Sequence, residues 1–200
     1  MTRIGVLALQ GDFVEHINML SKLGVDACEI RLSSQLDSVD GLIIPGGEST
    51  TIVQLMDNFG LTEQIKRLIG NGLPVWGTCA GMIVLARDIT DDRPKPLGII
   101  DINVSRNAYG RQVDSFEVPV DIPKLGNPYF NAIFIRAPAI NSIGDNVEVL
   151  GTLSDGQIIA AQERNIIVTS FHPELTDDVR FHKYFVSFVG DNNFGQYNNG

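Results

Sequence analysis

The chain has 200 residues, enough for one ordinary domain with a sizeable buried core. Its apolar share of 44% and charged share of 20% are those of a globular protein, without disordered or fibrous bias. Fifteen basic and 24 acidic residues leave a formal charge of −9, a surface that repels phosphate backbones and argues against a nucleic-acid partner.

The first apolar run, residues 4–9, is too short to span a membrane and lacks the layout of a secretory signal, so it reads as a first buried strand. Two cysteines form no disulfide framework in a chain this long, which points to a reducing cytoplasm. Asp12 is placed to cap a helix whose apolar stripe is Phe13, Ile17, Leu20 and Leu23. Strands are expected at 27–30 and 41–44, the second closed by Pro45-Gly46-Gly47. Helical patterns follow at 50–57 and 62–69, stopped by Asn71-Gly72-Leu73-Pro74. Residues 75–77 form the next strand, and Met82, Leu85 and Ala86 suit a helix after it. This alternation predicts a mostly parallel sheet covered on both faces.

The middle of the chain changes to short strand patterns at 99–104, 115–118, 132–135, 147–153 and 157–161, with a hairpin turn at Leu153-Ser154-Asp155-Gly156-Gln157. A last strand covers 166–171, and a closing helix covers 177–189 with Phe181, Phe185 and Phe188 near one face. One domain is expected over 1–190, with 191–200 a polar tail rich in Asn and Gly.

Three segments carry the chemistry. In Gly77-Thr78-Cys79-Ala80-Gly81 a cysteine sits between a buried strand and a helix, the thiol counterpart of the serine nucleophile elbow. The helix start favours a thiolate, and its N–H groups, Ala80 first, could hold an oxyanion. Taken alone, the pentapeptide fits a structural cysteine equally well. Of three histidines, His16 and His182 lie within helical patterns, where packing or solvation is the default reading. His172 differs: it ends the last strand, and Glu174 follows two residues on, able to fix the imidazole tautomer. Pro45-Gly46-Gly47-Glu48-Ser49-Thr50-Thr51 offers backbone N–H groups after a strand without the Lys of a phosphate-binding loop. No cofactor or metal is expected, since zinc and calcium spacings, a dinucleotide fingerprint and a Cys-x-x-Cys pair are all missing. Cys28 reads as a small core residue.

With those segments in this order, the sequence resembles the class I glutamine amidotransferases, and among them the glutaminases of pyridoxal 5′-phosphate synthase. The closer resemblance rests on Gly5-Val6-Leu7-Ala8-Leu9-Gln10-Gly11 with Glu15-His16, on the Gly-Glu-Ser-Thr-Thr segment, on Ser105-Arg106-Asn107-Ala108-Tyr109-Gly110-Arg111-Gln112 and on Phe134-Ile135-Arg136-Ala137-Pro138. It implies an α/β, flavodoxin-like three-layer sandwich with a central mostly parallel sheet and a short antiparallel-strand insertion. Cys79 would be the nucleophile, His172 the base and acid, and Glu174 its orienting carboxylate. The oxyanion hole would be Gly47 and Ala80. L-Glutamine would be held by Gly46, Glu48, Ser49, Arg106, Ile135 and Arg136. The reaction would release glutamate and ammonia, the ammonia passing to a synthase subunit in an assembly of twelve synthase and twelve glutaminase subunits. The first helix, with Gln10 and Glu15-His16, would lie near the docking face. Alternatives at this level are the glutaminase of another pathway, such as histidine biosynthesis, a thiol hydrolase on the same scaffold, or a non-enzymatic interaction module.

Overall fold

A computed structural model of the protein describes residues 2–106 and 115–192. The N-terminal half alternates β1 (Arg3–Leu7), α1 (Phe13–Lys22), β2 (Asp26–Ile30), β3 (Gly41–Ile44), α2 (Ser49–Asn58), α3 (Thr62–Gly70), β4 (Val75–Thr78) and α4 (Ala80–Leu85). Strands β5 (Ala86–Ile89), β6 (Ile100–Ser105), β7 (Ser115–Val120), β8 (Phe130–Ile135) and β9 (Ala139–Ile143) follow. The chain closes with β10 (Glu148–Thr152), β11 (Ile158–Glu163), β12 (Ile166–Thr169) and α5 (Arg180–Asn192).

Seven strands form the central sheet in the order β10-β11-β12-β4-β3-β1-β2. The five strands from β12 to β2 are mutually parallel, and β11 runs antiparallel to both of its neighbours. Two smaller sheets, β5-β6-β9 and the β7-β8 hairpin, make up the insertion. This is the flavodoxin-like sandwich with an inserted antiparallel element.

The period-two pattern of the strands explains the layering. Leu42, Ile44, Val75 and Val168 join one apolar cluster with α2, α3 and α4. Ile43, Trp76 and Ile167, one residue out of step, join the other with α5 and the β7-β8 hairpin. On that second face Trp76 stacks on Phe181 at 4.9 Å, and Phe185 lies 5.7 Å away. The aromatic stripe of α5 therefore packs where its spacing placed it.

Four local expectations change. Asp12 makes no side-chain cap at the start of α1; its carboxylate points at His172 instead. Helix α4 ends at Leu85, because Ala86 turns to extended backbone and opens β5, a strand that periodicity did not reveal. Strand β9 also went unseen. Helix α5 starts at Arg180, whose N–H bonds the Asp178 carboxylate at 3.0 Å, and it continues to Asn192, past the expected boundary at 190. Residues 107–112 of the Ser-Arg-Asn segment and 193–200 of the tail lie outside the described residues. The predicted hairpin at 153–157 is present, closed by the Leu153 N–H on the Gln157 carbonyl at 2.9 Å.

Candidate active site

Cys79 joins β4 to α4 with φ 47° and ψ −101°, a left-handed conformation that a non-glycine residue adopts only under strain. Its N–H is tied to the Thr169 carbonyl at 2.8 Å, which locks the turn to β12. Two residues on, Gly81 permits the helix to close on the sheet: a Cβ there would stand 2.0 Å from the Ile44 carbonyl oxygen. The sulfur is mostly buried, yet it faces a cavity of about 450 Å³ and lies 3.9 Å from the Ile135 carbonyl oxygen. Ala80 is the first residue of α4, where an N–H has no acceptor within its own helix.

His172 reaches the same cavity from the end of β12, with its N–H on the Ile133 carbonyl at 2.8 Å. Its Nδ1 is 2.7 Å from Glu174 Oε1 and 3.4 Å from Asp12 Oδ2. Burial disfavours a charged imidazole, but hydrogen bonds to Asp12, Cys79 and Glu174 outweigh it and push the pKa up to about 12. Burial raises the Glu174 carboxyl, against the downward pull of its bond to His172. Asp12, His172 and Glu174 bring one ligand atom each within 4.8 Å of one another, a spacing compatible with a cation. A single proton on Nδ1 shared between two carboxylates accounts for the same geometry.

The Gly46-Gly47 turn is pressed against this pair. A Cβ on Gly46 would stand 2.5 Å from His172 Cε1, so the imidazole rests on bare backbone. Gln10 supports the next peptide, its Oε1 accepting the Glu48 N–H at 2.7 Å. Glu48 caps α2, accepting the N–H groups of Thr50 and Thr51 at 3.1 and 2.7 Å and the Thr51 hydroxyl at 2.8 Å. Burial would raise its pKa, but these bonds bring it below the usual carboxylate value. Arg106 pairs with Glu48 Oε1 at 3.1 Å and donates to the Arg93 carbonyl at 2.9 Å. Ser49 is buried on the cavity wall, and its Oγ has no hydrogen-bond partner among the described residues. Ile135 and Arg136 line the opposite rim, Arg136 with φ 44°.

The sequence-derived site residues therefore line one cavity except Gly46 and Glu174, each of which lies against His172. Three partners were not foreseen. Asp12 bonds the histidine, Gln10 holds the glycine turn, and His16 is fully buried beside Glu174 with Nε2 3.4 Å from Oε2. Asp12 reads in the sequence as a helix cap, whereas Gln10 and His16 stand out there only through the family resemblance, which puts them near a docking face.

Residues 6–191 match the SNO glutamine amidotransferase family. The chain belongs to that family. It is 55% identical over 189 residues to the pyridoxal 5′-phosphate synthase subunit PdxT of Dehalococcoides mccartyi, spanning 94% of this chain and 97% of the relative. The PdxT subunit of Herpetosiphon aurantiacus is 53% identical over 186 residues, covering 92% and 98%. A crystal structure of a glutamine amidotransferase superposes with a TM-score of 0.88 at 43% identity, covering 94% of this chain and 98% of that one. Among the described residues of this amidotransferase, no helix is long and apolar enough to cross a membrane.

Proposed function

We propose that the protein hydrolyses the side-chain amide of L-glutamine and hands the ammonia to a pyridoxal 5′-phosphate synthase subunit. The carrying observation is the strained Cys79 elbow opening into one cavity with a His172 whose Nδ1 is held by Glu174. Membership of the amidotransferase family and the names of the relatives supply the substrate and the partner. The family resemblance further suggests a twelve-plus-twelve assembly and a cytoplasmic setting, in keeping with two unpaired cysteines.

The raised pKa of His172 sets the order of events. Cys79 passes its proton to the His172 imidazole, whose raised pKa favours taking it, and the sulfur attacks the amide carbonyl. The oxyanion is received by the N–H groups of Gly47 and Ala80. His172 then gives its proton to the departing nitrogen, the C–N bond breaks, and ammonia leaves a γ-glutamyl thioester. The now neutral imidazole takes a proton from water, which attacks the thioester; the collapsing intermediate returns the sulfur and releases glutamate. Glu174 holds Nδ1 throughout, keeping Nε2 toward the reacting atoms.

Arg106 is the cation for the substrate carboxylate, and Glu48 is the anion for its ammonium. These two side chains bond each other in the free protein, so substrate binding exchanges their mutual pair for two substrate contacts. Ser49 and the backbone at Ile135 and Arg136 complete the pocket. The test is ammonia and glutamate release from glutamine, with and without the synthase subunit. Release that appears or rises with the synthase is expected; a wild-type complex that leaves glutamine intact would falsify the assignment.

A further inference from the structure

Behind the candidate triad lies a buried polar chain that the reaction above leaves unused. His16, on α1, places Nδ1 2.9 Å from His182 Nε2 on α5 and Nε2 3.2 Å from the Thr78 hydroxyl. The same Nε2 is 3.4 Å from Glu174 Oε2, and both side chains are wholly shielded from solvent. Trp76 closes the space, edge-on to His16 at 5.4 Å and to His182 at 5.0 Å.

Two buried atoms at the ends of this chain, Glu174 Oε2 and His182 Nδ1, have no hydrogen-bond partner among the described residues. One placement of protons explains both. If His182 carries its proton on Nε2, it donates to His16 Nδ1, which must then be the acceptor. His16 consequently carries its proton on Nε2, aimed at Thr78 and Glu174, while His182 Nδ1 is left as a bare lone pair. The opposite placement would bury an N–H at His182 Nδ1 without an acceptor and set a lone pair of His16 against a carboxylate. Orphaned buried donors are the rarer defect, so the first placement prevails.

We propose that His16 is a positioning residue for the reaction: its Nε2–H, bonded to Thr78, faces the second carboxylate oxygen of Glu174 at 3.4 Å as a charge–dipole contact, and His182 sets the tautomer that turns that proton toward the carboxylate. The proposal rests on the glutaminase reading above. Glu174 Oε1 is occupied by His172 Nδ1, so the orientation of the carboxylate about its own axis depends on what meets Oε2. Both distal histidines are held neutral, since burial pulls His16 well below the ordinary value and His182 down to about 3. They therefore act as fixed dipoles and add no second positive charge beside the imidazolium. The titratable groups facing Glu174 are His172 from its own turn, Asp12 and His16 at the start of α1, and Glu15, Lys22 and Asp177 across the groove on its far side.

The experiment compares wild type with His16→Leu, His16→Gln and His16→Asn in complex with the synthase subunit, measuring glutamate release against glutamine concentration and pH. His16→Leu should lower kcat by about tenfold, the low end of the effect of losing a polar contact to a charged group, with KM unchanged. Its acid limb should move to higher pH, because the carboxylate loses a donor that favours its charged form. His16→Gln carries an amide N–H close to the former Nε2 and should recover most of kcat and the wild-type limb. His16→Asn reaches His182 but falls short of Glu174, and should behave like the leucine variant. Should His16→Leu not fold, the Gln and Asn pair decides alone, since both are polar and differ only in reach. Equal kcat in Gln and Asn, with an unmoved acid limb, overturns the positioning role while leaving the glutaminase reading intact. An inactive wild-type complex overturns both.

Discussion

The two walls of the cavity are built differently. One wall comes from strand ends of the central sheet, where Cys79 and His172 are nearly enclosed and bonded to neighbouring backbone. The other comes from the inserted strands and the α2 entrance, where Arg106, Glu48 and Ile135 are partly exposed and held by side-chain pairing. Groups that make and break bonds stand on the rigid wall, and groups that select the substrate stand on the exposed one. Preorganisation is needed where charge develops, whereas a binding wall must exchange its own contacts for those of an incoming zwitterion.

The strongest way to break this comparison is Cys79→Ala, which should reduce glutamate release by roughly four orders of magnitude or more while the synthase still binds; pull-down with an amidase assay checks both. Next comes Gly81→Ala. Its new methyl meets the Ile44 carbonyl at 2.0 Å, and the expected loss is about 3 kcal/mol, a fall in Tm of roughly 6–12 °C. Gly126→Ala is its counterpart outside the central sheet: open space surrounds the position, so only the left-handed φ counts, at about 1 kcal/mol. Thermal melts of the two should differ severalfold in shift; equal shifts would contradict the close packing of α4 against the sheet.

On the binding wall, Arg106→Ala should raise KM for glutamine by roughly tenfold to a hundredfold with little change in kcat. Arg106→Lys should fall between, since an ammonium cannot reproduce the guanidinium fork. A drop in kcat at constant KM would move Arg106 to the catalytic side.

The smallest effect is a slope. His182 has its pKa lowered to about 3 in the folded protein, from an ordinary 6.5. Between those values the unfolded chain binds a proton that the folded chain refuses, so stability falls as pH drops, by about 1.4 kcal/mol per unit for this one group. His182→Phe should remove that share, giving a shallower decline in urea-unfolding stability from neutral to mildly acid pH. His172 has the opposite sign: its pKa is raised, so its contribution is complete below the ordinary value and is lost as alkaline pH approaches the folded one.

Much of this was legible along the chain because it is local. The strand-turn-helix at Cys79, the His-Pro-Glu turn and the glycine turn after β3 each declare themselves within a few residues. The alternation before residue 86 likewise prescribes a parallel sheet. Strands β5 and β9 escaped notice because their burial is decided by the inserted sheet they join rather than by their own periodicity.

Amino-acid order by itself thus determined which residues could be nucleophile, base and carboxylate, since those roles follow from side-chain chemistry and turn geometry. Only the tertiary structure decided who stands behind them. Asp12 on His172, Gln10 on the glycine turn and the two neutral histidines behind Glu174 are meetings between elements up to 166 residues apart. Such contacts arise when the sheet brings distant strand ends together, and the low-dielectric space it closes then determines which of three chemically identical imidazoles carries charge.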